Sequence, residues 1–425
     1  MIQTLRNAWK IEEIRKKILF TLLIVLLYRI GNAIPVPFVN TALLQQYFSY
    51  LQNTALGLLD AMSGGSFSNA TIFALSIQPY INASIIIQLL CIAIPALERM
   101  SKEEGEEGRK KIASITRYST VAIGLLQGFG YYMLMKNNGI IVADAASSVW
   151  AAIVIILTFT SGSALIMWLG EQITEFGVGN GISIILFASI ISRFPNSVIT
   201  TIQNVINGSL AWWAAVLVFL GARALIVLIV FVNDAERRIP VQYAKRVVGR
   251  KMYGGQSTHL PMKVNMSGVM PIIFASSISS IPATIAAFTG HQNSAWAKTN
   301  TIPYAIIYLL LIVFFAYFYS TIQFNPIEVA NNLKKNGGYI PGFRPGKPTS
   351  EFIQRVLNKI TLFGAIYLGI IAVTPILISH FSNAASLTGL QLGGTSIIIV
   401  VGVALETVRA IEAQMLMRNY KGFLS

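Results

Sequence analysis

Charge is what this 425-residue sequence has least of: 12% of its residues are Asp, Glu, Lys or Arg, about half of the roughly 25% usual in soluble domains. With 54% hydrophobic residues and a mean hydropathy of +0.63, that scarcity excludes an ordinary soluble globule. The single cysteine, Cys91, lies inside an apolar run, which excludes an internal disulfide or a cysteine metal cluster and leaves packing as its role. No Asp or Glu falls in the apolar centre of any hydrophobic run, and His259, His291 and His380 read as loop or interface residues. Ion-coupled transport needs a buried group whose charge changes on binding, so its usual apparatus is missing. There is no Walker motif, no catalytic carboxylate pair and no HExxH, and Gly177-Val178-Gly179-Asn180-Gly181 lacks the strand and turn of a phosphate loop. The chain therefore reads as no enzyme, with no cofactor and no metal, and any energy source must come from a partner.

What the sequence does have is ten apolar stretches, near residues 18–34, 72–95, 112–135, 150–169, 181–194, 210–232, 267–288, 302–323, 356–379 and 393–417. Most approach the ~20 residues a helix needs to cross a bilayer core, and they do not alternate as barrel strands do. An all-α polytopic membrane protein is the predicted class. The first run follows Arg6, Lys10, Arg15, Lys16 and Lys17 as in a signal peptide, but it contains Arg29 and ends in Ile34-Pro35-Val36-Pro37 without a small-residue cleavage site. It is expected to stay as the first span.

Thirty-two Lys and Arg stand against 17 Asp and Glu, a net +15. With the N-terminus in the cytoplasm, only Arg29, Lys136, Arg193, Arg223 and Lys298 fall outside the cytoplasmic tails, loops and span ends, leaving 27 inside. That bias fixes the orientation, and an even number of spans returns the C-terminus, 418–425, to the same side as the N-terminal segment 1–17. Of the acidic residues, only Asp60 and Asp144 fall outside. Two cytoplasmic loops, 233–266 and 323–355, are too long and basic to be simple connectors. The first carries Arg237, Arg238, Lys245, Arg246, Arg250, Lys251 and Lys263; the second carries Lys334, Lys335, Arg344, Lys347 and Arg355. The stretches Gly249 to Gly255 and Gly337 to Gly346 are rich in turn formers and predict ordered, projecting tips. Such tips suit a phosphate backbone, an acidic protein surface or lipid headgroups.

Residues 35–71 form an outer segment whose one charge is Asp60. Its latter part, Leu56 to Phe67, is an apolar half-helix followed by a glycine hinge, too short to span and too apolar for a free loop. It is expected either to fold back into the protein's own vestibule or to lie at the membrane interface. Uncharged polar residues enter two spans: Ser76, Gln78, Asn82, Ser84 and Gln88 in the second, Ser276, Ser277, Ser279, Ser280 and Thr284 in the seventh. Together they predict helices facing a wet or intermittently opened seam, although ordinary interhelical hydrogen bonds account for any one of them. Arg29 is near enough to a span end to snorkel, whereas Arg223 falls mid-span and needs a partner or a water path.

Ile72 to Leu90 (IFALSIQPYINASIIIQLL) closely resembles the SecY family of protein translocation channels. The likeness continues through Gly179-Asn180-Gly181-Ile182-Ser183-Ile184, Gln256 to Asn265 (QSTHLPMKVN), Phe343-Arg344-Pro345-Gly346 and Gly393-Gly394-Thr395-Ser396. It covers essentially the whole chain. The resemblance implies ten transmembrane helices in two inverted halves, 18–194 and 195–417, around a central hourglass pore in the bacterial cytoplasmic (inner) membrane. It places an apolar pore ring at Ile77, Ile81, Ile182, Leu186, Ile273 and Ile399; the one-turn spacing of Ile77/Ile81 and Ile182/Leu186 is compatible with a shared face. It makes residues 57–68, including Leu58, Leu59, Asp60, Ala61, Met62, Ser63, Gly64, Gly65, Ser66 and Phe67, a plug for the outer funnel. It sets a lateral gate at Asn82, Ile85, Gln127, Ser277 and Ile278. Arg237, Arg238, Arg246, Arg250, Lys251, Arg344 and Lys347 would dock the SecA ATPase or the ribosome. SecE would clamp the two halves, with SecG as a further subunit; the substrates would be signal sequences and unfolded polypeptides, and membrane lipids would receive released segments. Ile281 before Pro282, where some relatives have an aromatic, and the short tail after Asn419 depart from the pattern. The plug, gate and loop motifs favour the housekeeping form over an accessory export channel. The competing readings are a secondary solute transporter, which also uses inverted repeats, and an assembly scaffold or insertase without a continuous pore.

Overall fold

A computed structural model describes residues 2–50, 55–142, 148–208, 211–243, 246–248, 251–253, 257–288, 301–381 and 394–421. The described chain is mostly helix, and helices are also what an apolar span must form to satisfy its own backbone in lipid. They are α1 (Ile2–Lys10), α2 (Glu12–Gly31), α3 (Thr41–Tyr50), α4 (Ala55–Met62), α5 (Gln78–Ala93), α6 (Pro95–Lys102), α7 (Gly105–Asn137), α8 (Val149–Phe176), α9 (Gly181–Ile191), α10 (Phe194–Ile206) and α11 (Trp212–Asp234), followed by α12 (Met270–Phe288), α13 (Ile302–Gln323), α14 (Pro326–Lys335), α15 (Lys347–Phe381) and α16 (Gly394–Lys421). By length and apolarity, five stretches among the described residues qualify as membrane spans, and α5 with α6, bent by 106°, makes a sixth. The other sequence-predicted spans are also helical: α2 and α7 bring charged turns with them, α12 carries Pro282, and α16 holds Glu406 and Glu412.

The second span starts later than its hydropathy indicates. Residues 72–77 are turns and the helix begins at Gln78. Pro79 is the cause, since proline lacks an N–H and is accommodated only in a helix's first turn. The ninth span starts earlier, at Lys347, because its charged first turns continue the same helix outward from the apolar part.

Helices α2, α5, α7, α8 and α9 pack among themselves, as do α11, α12, α13, α15 and α16. The two groups meet along two seams: α12 lies on α5 and α7, and α9 lies on α16, while α4 touches both α9 and α12. One apolar cluster crosses the middle of the molecule, with contributions from α2, α5, α8, α9, α11, α12, α13, α15 and α16.

The two long basic loops add a small sheet to this helical body. Strand β1 (Glu236–Tyr243) pairs antiparallel with β4 (Ser257–Lys263) on one side and with β5 (Gly338–Tyr339) on the other, while β2 (Arg246–Val248) and β3 (Lys251–Tyr253) form a hairpin. Ile239, Val241, Met262, Ile340, Ile353 and Leu357 close a separate core beneath the sheet, so both loops belong to one folded unit.

Candidate functional site

The centre of the molecule is apolar and branched. Ile77, the residue just before α5, is fully buried; Ile81 on α5, Leu186 on α9, Ile273 on α12 and Ile399 on α16 are 3% exposed or less. All five belong to one apolar cluster, and Ile182 on α9 packs against it. The six side chains named from the sequence thus come from both helix groups and share one core.

Against this core lies the segment from α4 to α5, held by a dense set of polar contacts. Asp60 forms an ion pair with Arg193, in the two-residue link between α9 and α10, and its other carboxylate oxygen accepts the Ser68 N–H at 2.7 Å. Ser63 Oγ donates to the Asp60 carbonyl at 3.0 Å, and Ser66 Oγ to the Ser63 carbonyl at 2.9 Å. Gly64 has φ +70°, and a Cβ there would lie 2.8 Å from the Ser189 carbonyl oxygen, so neither the turn nor the close approach admits a side chain. Phe67 stacks on Tyr131, whose hydroxyl donates to the Phe67 carbonyl. Asp60, Met62, Ser63, Gly65, Ser66 and Phe67 are buried. Of the side chain at Leu58 nothing is described, whereas Leu59 and Ala61 are half-buried.

The seam between α5 and α12 is polar. Buried Ser277 on α12 donates its hydroxyl to Gln78 Oε1 at 3.1 Å, and Gln78 Nε2 donates to Met62 Sδ at 3.6 Å. One turn-rich chain of contacts therefore runs from α12 through α5 to α4. Further along, Gln88 Nε2 donates to Ser84 Oγ at 3.1 Å while Gln88 Oε1 accepts from the Tyr319 hydroxyl of α13 at 3.2 Å. Ile85 is in the central cluster and Ile278 packs against it. Asn82 is half-buried with its carbonyl oxygen enclosed and unpaired, and Gln127 is half-buried on α7.

The α9–α16 seam is built differently. Ile184 and Leu186 share the central cluster with Ile399 and Val403, and at its end Val178 packs with Ile411, Ile14 and Ala8. Helix α1 joins this side through Thr4, which donates to Glu412 at 3.0 Å.

Arg237 and Arg238 on β1, Arg344 in the turn after β5 and Lys347 at the start of α15 are exposed. Arg246 and Lys251 lie on β2 and β3, and Arg250 lies outside the described residues. Lys263 on β4 is held below its usual range by burial and by Arg409 beside it. Arg409 pairs with Asp234 and also donates to the Asn233 carbonyl at 3.0 Å, tying the end of α11 to α16.

Sequence reasoning did not anticipate three of these features: the Asp60–Arg193 pair, the contact of Gln78 with Met62, and Tyr319. Arg193 was legible only as one of a few charges on the sparsely charged side, and nothing in the sequence paired it with Asp60 rather than Asp144. Among the described residues no group of His, Cys, Asp or Glu is arranged to hold a metal ion.

Compared with protein families, the chain matches the SecY model over residues 71–408. Among similar proteins, the protein translocase subunit SecY of Streptomyces scabiei is 45% identical over 444 residues and that of Mycobacterium tuberculosis (strain ATCC 25618 / H37Rv) 43% identical over 448, each with 100% of both chains covered. A solved structure described as "The structure of a protein conducting channel" superposes with a TM-score of 0.67 at 17% identity, over 95% of this chain and 93% of that one. Another, "Sec61 in the Canine ribosome-channel complex from the endoplasmic reticulum", gives 0.62 at 15% identity, over 95% and 93%.

Proposed function

The chain belongs to the SecY family, and on that premise we propose that it is a protein-conducting channel, passing unfolded secretory polypeptides across the membrane and releasing hydrophobic segments sideways into lipid. The observation that carries the reading is the convergence of Ile77, Ile81, Ile182, Leu186, Ile273 and Ile399, from both helix groups, on one apolar core. A ring of branched apolar side chains resists wetting, so it stops ions at rest. It also offers a passing chain no hydrogen bonds to hold it back.

Residues 57–68 act as the plug of the outer funnel, held through Asp60 to Arg193 and through Met62 to Gln78. The seam of α5 and α7 against α12 and α13 is the lateral gate, with Asn82, Ile85, Gln127, Ser277 and Ile278 lining it. When it parts, an apolar segment partitions into lipid and a polar one continues through the pore. Ser277, Gln78, Gln88 and Tyr319 exchange their mutual hydrogen bonds for water or substrate, so opening strands no donor.

Arg237, Arg238, Arg246, Arg250, Lys251, Arg344 and Lys347 form a basic platform for the SecA ATPase or the ribosome, whose acidic surface or phosphate backbone such charge attracts. SecE clamps the two helix groups, SecG completes the complex, and both termini face the cytoplasm of a bacterial cell across its cytoplasmic membrane. The chain itself does no covalent chemistry; the motor supplies the energy.

Proteoliposomes holding this chain with its SecE are expected to export an unfolded secretory precursor when SecA and ATP are added, with charge reversal at Arg250 and Arg344 impairing export. A stalled precursor is expected to cross-link to a probe at Ile77. Sodium- or proton-driven solute uptake by the chain without partners, together with failure to export, overturns the proposal.

A further inference from the structure

Arg193 holds residues 57–68 through Asp60, yet its own place is fixed by α9. Leu186, Ile190 and Arg193 follow one another at intervals of four and three residues, the spacing of one helical face, and the first two belong to the central apolar cluster. Seven residues beyond Leu186 is about 10 Å along a helix, roughly one screening length at ~0.1 M salt, so the charge of Arg193 is felt at the proposed pore ring. Its guanidinium lies against the bare backbone of Gly65, where a Cβ would come 3.1 Å from Nη2.

Arg29, Lys136 and Arg223, the other described basic residues away from the cytoplasmic side, are exposed on α2, α7 and α11. Arg193 differs from them in being covered by the plug: its side chain is 30% exposed, and that of Asp60 9%. The two charges also belong to different parts of the mechanism. Asp60 lies in residues 57–68 and Arg193 does not, so displacement of the plug takes the carboxylate away and leaves the guanidinium behind, in the path by which a polypeptide leaves the ring.

Resting on the channel reading above, we propose that Arg193 is a specificity-determining residue for the passing chain, pairing in turn with its Asp and Glu side chains once Asp60 has left. Attraction just beyond the apolar ring lowers the cost of bringing a carboxylate through it, whereas a Lys or Arg meets repulsion at the same point. The pair forms in water, so it is weak and does not trap the chain. Acidic stretches are thereby drawn outward faster than basic ones of the same length.

The test uses the full chain with its SecE in proteoliposomes, driven by SecA and ATP with no membrane potential imposed. One unfolded secretory precursor is supplied in three forms, with a short run of Asp, Asn or Lys at the same place in its mature part, and the rate at which each becomes protected from added protease is measured. The Asp-to-Lys rate ratio is expected to fall about threefold in Arg193→Gln, the effect of one solvent-exposed charge pair, and further in Arg193→Glu, while Arg193→Lys keeps it. Asp60→Asn loosens the plug but spares the cation, and is expected to keep or raise the ratio. Where Arg193→Gln alone fails to accumulate, Asp60→Asn with Arg193→Gln, set against Asp60→Asn, gives the same reading without an unpaired charge. A ratio unmoved when Arg193 is neutralised, or an equal fall in Asp60→Asn, overturns this inference while export of the Asn form leaves the channel reading standing. Failure of the wild-type chain to export any of the three forms overturns the channel reading and this inference with it.

Discussion

The two seams that join the halves of the molecule use opposite chemistry. Between α9 and α16 the contact is apolar from Leu186 and Ile399 out to Val178 and Ile411. Between α5 and α12 it is threaded by Ser277, Gln78 and Met62, and beyond them by Ser84, Gln88 and Tyr319. An apolar contact parted in water loses its whole stabilisation, whereas hydroxyls and amides find water or substrate in its place. One seam is thereby suited to stay shut and the other to open and reclose, which is the asymmetry the proposed lateral gate requires.

The sharpest way to break this comparison is at the proposed pore ring, to which both seams contribute. Ile77→Asn with Ile399→Asn puts two amides into that apolar cluster, and resting ion conductance in planar bilayers is expected to rise further than in any single-site variant of either seam. Unchanged conductance would place the seal elsewhere. Next in size is Ile411→Ala on the apolar seam. The lost packing is expected to cost about 2–4 kcal/mol of stability, read as earlier thermal unfolding in detergent, while resting conductance stays at the wild-type level.

Arg193→Gln removes the partner of Asp60 without touching either seam. Arg193 is 30% exposed, so the expected loss is below that of a fully buried pair, about 1–2 kcal/mol. Protease accessibility of residues 57–68 is the measurement, and protection equal to wild type would assign their anchoring to Phe67 and Tyr131 instead. The smallest effect belongs to the polar seam. Ser277→Ala leaves Gln78 Oε1 without its donor and is expected to weaken the closed seam by about 1 kcal/mol, roughly a fivefold shift towards open. Spin labels at Ile86 and Ile281, both exposed and on opposite sides of the seam, should report a larger wide-distance fraction. An equal shift from Ile411→Ala would erase the distinction between the two seams.

How much of this was legible depends on the range of the interaction. The eighth span was read as 302–323 and α13 occupies those residues, because apolarity and the helix it forms are properties of one local stretch. Polar residues in the second and seventh spans predict a seam for the same reason, since each is visible within its own apolar stretch. Pairings across the chain left no such trace. Tyr339 finds Gln242 and Arg193 finds Asp60 across 97 and 133 positions, and neither residue is unusual in its own surroundings. The isoleucines proposed for the pore ring have the spacing of any buried helix face; the family likeness, not their pattern, sets them apart from ordinary core.

The pairing of β5 with β1 reaches further than the few hydrogen bonds it contains. Strand β1 leaves the end of α11, β4 leads into α12, and β5 lies between α14, which follows α13 directly, and α15. Whatever grips this patch holds a common handle on four long helices, so a pull applied at one edge is delivered as torque to α11, α12, α13 and α15 together and not spent in a slack tether.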